Sequence, residues 1–263
     1  MAALRLLGLL ACLSLLPTCK GGLASYSDIV GGRKATREQT RSLASLQDQG
    51  RHFCGGFLVH PQFVLTAASC FGGRNPGSAS VVLGAYDLLK RSRSRQTFSV
   101  TSINENGYDP NEVLNDLLLL QLDREATLGT DVALLPLPEQ NVTVEEGTSC
   151  LVAGWGIQRS NGRLSRFPRA LNVTVTPESQ CRPGNVCTGV FNRRGGICQG
   201  DGGTPLICNG LAHGIASLST GPCGSGVDFF TRVSLFRDWI DSVLNQGGLP
   251  PQPRGASRIS GSH

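Results

Sequence analysis

Along most of the chain, apolar positions come in short stretches interrupted at frequent intervals by Gly, Pro, Asn and Ser. This pattern predicts strands over Phe57–Thr66, Ser80–Gly84, Thr97–Ile103, Asp116–Leu122, Ser149–Gly154, Ala170–Thr176 and Leu211–Leu218. It is the signature of an all-β sandwich or barrel, and no internal repeat of propeller or solenoid length accompanies it. One segment breaks the pattern. Val233–Asn245 places Phe236, Ile240, Val243 and Leu244 on one face and Asp238 and Asp241 outside it, which predicts a single C-terminal helix.

The two ends follow neither pattern. After Met1–Arg5, Leu6–Leu16 is an apolar run too short to span a bilayer, and Pro17, Gly21 and Gly22 follow it. Residues 1–25 are therefore read as a secretory signal peptide. Residues 26–28 are read as a short propeptide, 29–246 as the folded domain, and 247–263, with three prolines, as a disordered tail open to removal. A secreted chain enters an oxidising compartment. Without the leader's Cys12 and Cys19, eight of the ten cysteines remain, and their spacing alone leaves about 105 pairings open. Asn141-Val142-Thr143 and Asn172-Val173-Thr174 are glycosylation acceptors, expected at the surface.

Composition sharpens this in two ways. Aromatics make up only 6% of the chain, so the core must be mainly aliphatic. The net charge is +5, and all but three of the 24 basic residues are Arg, the lysines being Lys20, Lys34 and Lys90. Guanidinium grips sulfate, phosphate or carboxylate in two places at once, whereas ammonium acts as a hydrated point charge. The basic residues come in groups: Arg33, Lys34, Arg37 and Arg41; Lys90, Arg91, Arg93 and Arg95; Arg159, Arg163, Arg166 and Arg169; Arg193 and Arg194. Such blocks are as often plain solvated surface as binding sites. No cysteine or histidine pair has zinc-ligand spacing, so neither a metal nor a cofactor is expected.

Candidate chemistry centres on Gly200-Asp201-Gly202-Gly203-Thr204-Pro205-Leu206. In isolation this is an ordinary glycine turn with accessible N–H groups. It resembles, however, the Gly-Asp-Ser-Gly-Gly-Pro-Leu nucleophile loop of the chymotrypsin-like serine proteases, with Gly202 where that family carries its serine. Leu65-Thr66-Ala67-Ala68-Ser69-Cys70 resembles the segment holding the family's general-base histidine, with Ser69 in its place. Asn115-Asp116-Leu117-Leu118 resembles the segment of the orienting aspartate, here Asp116. A hydroxyl cannot accept a proton at neutral pH as imidazole does, and glycine offers nothing to attack with. His52, His60, His213 and His263 do not fall at the base position.

The resemblance covers Ile29 to about Asn245 and implies two antiparallel six-stranded β-barrels with a C-terminal helix. It implies disulfides Cys54–Cys70, Cys150–Cys208, Cys181–Cys187 and Cys198–Cys223. Ile29-Val30-Gly31-Gly32 resembles the N-terminus freed by propeptide cleavage, which implies an ammonium at Ile29 paired with Asp201. Asp28 is unlike the basic residue at which trypsin-type activation cuts. Gly196 at the base of the family's specificity pocket implies an uncharged pocket.

Asp48–Cys54, Val82–Leu88, Glu105–Pro110 and Gly195–Cys198 narrow the resemblance to the neutrophil granule branch, and the joint loss at 69 and 202 to a non-proteolytic member of it. That resemblance implies a secreted protein stored in azurophil granules that acts as a cationic antimicrobial and inflammatory mediator. Its implied partners are heparin or heparan sulfate, bacterial lipopolysaccharide, anionic membrane surfaces and leukocyte or endothelial receptors, with no specific nucleic acid. It links lipid binding to the segment 48–70, which mixes Arg51 and His52 with Phe53, Phe57, Leu58, Val59 and Phe63, although most of that apolar content is expected to be barrel core. Two other readings are an endopeptidase with residual activity and a decoy for Kunitz-type inhibitors.

Overall fold

The computed structural model describes residues 29–158, 162–189 and 195–247. The leader, residues 26–28, the tail beyond 247, and Arg159, Arg193 and Arg194 therefore lie outside the described residues.

A two-residue strand β1 (Arg33–Lys34) leads into the first barrel. This barrel consists of β2 (Leu43–Asp48), β3 (Arg51–His60), β4 (Phe63–Thr66), β5 (Ser80–Leu83), β6 (Gln96–Glu105) and β7 (Leu118–Leu122), closed in the order β2-β3-β4-β7-β6-β5. The second comprises β8 (Ser149–Gly154), β9 (Arg169–Val175), β10 (Asn185–Gly189), β11 (Pro205–Cys208), β12 (Leu211–Ser219) and β13 (Val227–Arg232). Its order β9-β10-β13-β12-β11-β8 closes through β8 pairing with β9, while β1 adds to β9 through Arg33↔Ala170 and Lys34↔Arg169. All pairs are antiparallel, so short connections suffice throughout.

Three differences from the sequence pattern have local causes. The expected strand Phe57–Thr66 is two strands, because Pro61 cannot donate to a ladder and turns the chain before Phe63. The α-helix, α1, runs from Arg237 to Gly247, and Val233–Phe236 forms a 3₁₀ turn leading into it. β1 and β11 are short, and β2, β10 and β13 are buried along nearly their whole length, which leaves no apolar–polar alternation to read.

Side-chain alternation explains how two barrels make one body. In β7, Leu118, Leu120 and Leu122 fill the first barrel with Val64, Val81 and Phe98, while Leu119 and the preceding Leu117 point outward. These outward leucines meet Phe57, Phe63 and Leu65 on one side, and Ala212, Ile215, Val233 and Ile240 of the second barrel and its helix on the other. A four-leucine run with no polar face is thus buried on both sides, one in the barrel and one in the seam. Val152, Val173, Leu206 and Phe230 fill the second barrel.

Four disulfides join Cys54–Cys70, Cys150–Cys208, Cys181–Cys187 and Cys198–Cys223. Cys150 and Cys208 are direct cross-strand partners on β8 and β11. Asn141 and Asn172 are both exposed.

Candidate functional site

The site lies in the seam. Asp116 precedes β7 and is fully buried. Its Oδ1 accepts from the Ser69 N–H at 2.7 Å and its Oδ2 from the Ser69 hydroxyl at 2.7 Å, with the Ser217 hydroxyl of β12 also donating to Oδ2. The Thr231 hydroxyl of β13 donates to its carbonyl at 2.9 Å. The Ser69 and Ser217 hydroxyls thus both donate to the Asp116 carboxyl, and no histidine shares a hydrogen bond with it among the described residues.

The nucleophile loop separates backbone necessity from chemistry. Gly200 (φ +94°) and Gly203 (φ +83°) occupy left-handed conformations, and a Cβ at Gly203 would sit 2.3 Å from the Gly55 carbonyl oxygen. Gly202 is different. Its φ lies outside that region, and a Cβ would meet only the Cys54 and Cys70 sulfurs at 3.3 and 3.4 Å. A serine could be built there with a shift of a few tenths of an ångström, so the backbone does not demand the missing side chain. Thr204 turns away, donating to the Asp201 carbonyl at 2.7 Å and packing on Gly55.

Asp201 is buried in the second barrel. It accepts from the Gly156 N–H at 2.8 Å and the Cys198 N–H at 3.0 Å, and burial pushes its pKa up to about 7. Ile29 is buried within the same barrel's core, and Val30 bridges Gly196 two residues before Cys198.

The specificity-pocket expectation needs correction. Asp228 of β13 places its carboxyl against Gly196, where a Cβ would lie 2.4 Å from Oδ2, and it accepts from the Ile197 N–H at 2.9 Å. Burial pushes its pKa up to about 6. The glycine therefore marks a titratable group brought in from another strand.

The described histidines stand away from Asp116, and two of them are engaged elsewhere. The His52 Nε2 lies 2.9 Å from the Gly200 carbonyl, which can only accept, so Nε2 carries the proton and Nδ1 accepts from Ser45. Burial lowers its pKa to about 4, which keeps the ring neutral and structural. His60 Nδ1 accepts from the Gln62 N–H in the β3–β4 turn, and His213 is buried in β12 with its pKa lowered.

The structure sorts the cationic candidates. Arg33, Lys34, Arg37, Arg51, Lys90, Arg91, Arg93 and Arg163 are exposed. Arg41, Arg95 and Arg169 are partly buried and bond to carbonyls: Arg41 to Gly129, Arg95 to Leu88, Arg169 to Gly32. Cations of two groups distant in sequence are drawn together by an aromatic pair the sequence did not advertise. The Tyr86 and Phe167 rings lie 5.9 Å apart. Lys34 sits 4.1 Å from the Phe167 centroid, Arg37 5.0 Å from that of Tyr86, and Arg166 5.2 Å from that of Phe167. Arg166 grips Asp87 through two bonds of 2.7 and 2.8 Å, holding that carboxyl at about 2. The only local trace of this junction is that each aromatic adjoins a charged residue, in Tyr86-Asp87 and Arg166-Phe167.

In segment 48–70, Phe57, Leu58 and Phe63 are essentially solvent-free and Phe53 packs on Phe71, with Arg74 stacked over it. Its apolar content is mostly barrel and seam, with Arg51 at the surface.

Two closed barrels joined across this seam define a trypsin-like fold, and the family model described as Trypsin matches residues 29–240. The chain belongs to the trypsin family and is a serine protease homologue. It is 68% identical to human azurocidin over 252 residues, 95% of this chain and 100% of that protein. It is 64% identical to azurocidin of Sus scrofa, across 93% of this chain and 98% of that one. The solved structure of human heparin binding protein superposes with a TM-score of 0.80 at 70% identity, over 85% of this chain and 99% of the other.

A carboxyl whose folded pKa stands above its unfolded value keeps a proton that the unfolded chain releases. Stability carried by Asp201 and Asp228 is therefore full below about pH 4 and falls as pH rises to about 7. For a chain still extended beyond Ile29, urea unfolding is expected to show this decline, of a few kcal/mol. Asp201→Asn should flatten most of it, and an unchanged slope in that variant would remove Asp201 from the account.

Proposed function

We propose that this chain is a catalytically silent serine protease homologue that works through its cationic surface, binding sulfated glycans and anionic bacterial lipids as a secreted antimicrobial and inflammatory mediator. The observation that carries the reading is the pair at the seam: Ser69 against Asp116 and Gly202 in the nucleophile loop. Nucleophile and base act as a unit, and a site lacking both loses on the order of a millionfold in turnover. The rest of the site is kept in order, which separates loss of chemistry from loss of fold. In this reading the mature chain begins at Ile29, and its new ammonium neutralises Asp201.

The convergence of Arg33, Lys34 and Arg37 with the 84–95 and 163–169 segments supports the binding half. Rigid strands and a disulfide-bonded frame present guanidinium groups at fixed spacing, so an extended polyanion meets several of them without ordering them first. The likeness to human heparin binding protein makes a sulfated glycan the first ligand to try. Storage in neutrophil granules and attraction of monocytes belong to the same proposal.

On immobilised heparin, the protein is expected to elute above physiological salt, with affinity falling as salt rises. Charge-neutral replacements at Lys34, Arg91 and Arg93 should lower the eluting salt more than the same number at Arg124, Arg232 and Arg237, whose guanidinium groups pair with the carboxylates of Asp123, Glu178 and Asp241. Elution of the unaltered chain at physiological salt would contradict the reading. In a chymotrypsin-class substrate panel, the chain should match a mock purification, while Ser69→His with Gly202→Ser regains measurable turnover. Native turnover above the mock would overturn the non-enzymatic half.

A further inference from the structure

The apolar side chains of segment 48–70 are largely inside the barrel or the seam, as its barrel-core reading expects. The outermost large apolar side chain among the described residues lies elsewhere. Leu89 is 77% exposed, whereas the next, Leu128, is 45% exposed. Leu89 stands on the loop between β5 and β6, beside Lys90, Arg91 and Arg93, all exposed, and no acidic residue follows before Glu105. A lone exposed leucine needs no explanation by itself. One held on a braced loop inside a run of cations does.

The bracing is explicit. Arg166 clamps Asp87, the Leu88 N–H donates to the Arg166 carbonyl at 3.1 Å, and the Arg95 guanidinium donates to the Leu88 carbonyl at 3.0 Å. The tip also satisfies its own backbone. The Leu89 N–H donates to the Asp87 carboxylate at 3.1 Å and the Lys90 N–H to the Asp87 carbonyl at 3.2 Å. Lowering this turn into a headgroup region therefore strips water from no unpaired donor at either position, which is the usual penalty for burying a loop. Leu88 is turned inward against Leu43 and Trp155, so Leu89 alone projects.

Resting on the anion-binding reading above and extending it, we infer that the 87–95 loop is a membrane-docking wedge for anionic lipid bilayers, in which Leu89 enters the acyl boundary while Lys90, Arg91 and Arg93 engage the phosphates. Charge complementarity selects the anionic bilayer, because cations near such a surface gain from its negative potential. The leucine distinguishes it from a sulfated glycan, which offers nothing apolar to receive it.

The test uses the full mature chain with vesicles of phosphatidylcholine plus phosphatidylglycerol, and with pure phosphatidylcholine. The protein should bind the mixed vesicles and not the neutral ones. Leu89→Asn should weaken that binding about tenfold, the scale set by burying one leucine, while its elution from heparin stays as in the parent. Leu89→Trp should move the emission of the introduced indole to the blue on mixed vesicles, beyond any change from the native Trp155 and Trp239. Equal vesicle affinity of Leu89→Asn and the parent, emission that stays at the water-exposed wavelength, or absence of binding to mixed vesicles would overturn the wedge. A matching fall in heparin elution for Leu89→Asn would also overturn it, assigning the loop to glycans. The outcomes are separable: failure of the wedge with normal heparin retention leaves the anion-binding reading standing, whereas loss of heparin retention by the parent removes that reading itself.

Discussion

A carboxylate sealed between two barrels needs donors, and that requirement fixes the geometry of the seam. Asp116 obtains them from Ser69 on the first barrel and Ser217 on the second, while the Thr231 hydroxyl holds its main chain. An unpaired polar group at that depth costs one to several kcal/mol. Ser69 is therefore the small donor that allows a buried acid to persist where the family places an imidazole. The fold can keep Asp116 without keeping its chemistry.

The same division runs through the nucleophile loop. Gly200 and Gly203 are fixed by positive φ and close backbone approach, so they remain glycine whatever the loop does. Gly202 is under no such constraint, and the architecture stands without a side chain there. In the reading proposed above, the surface carries the capacity for interaction. There the Tyr86–Phe167 pair and the Arg166–Asp87 clamp bring cations from separate parts of the chain onto one region.

Much of this was legible in the sequence, but unevenly. The barrel strands with clear alternation could be read from local pattern, and the Ser69 and Gly202 replacements from the resemblance of their segments to the family's motifs. The Leu117–Leu120 run could not be divided between barrel and seam, because a strand buried on both faces has no alternation to show. Pro61 signals a break inside Phe57–Thr66, but the apolar residues on both sides of it make the stretch look continuous. Asp228 was invisible as a partner of Gly196, since the two are joined only by β13 folding back across the sheet. The sorting of arginines into exposed and engaged depended on distant carbonyls, such as Gly129 for Arg41, which no spacing reveals.

The most direct measurement is the intact mass of the folded protein after exposure to an active-site-directed organophosphorus reagent, with an active trypsin-family enzyme treated in parallel. The account predicts an unchanged mass here and a single adduct on the enzyme, because no oxygen at position 202 is activated for attack. A stoichiometric adduct on this chain, lost on denaturation before treatment, would contradict it.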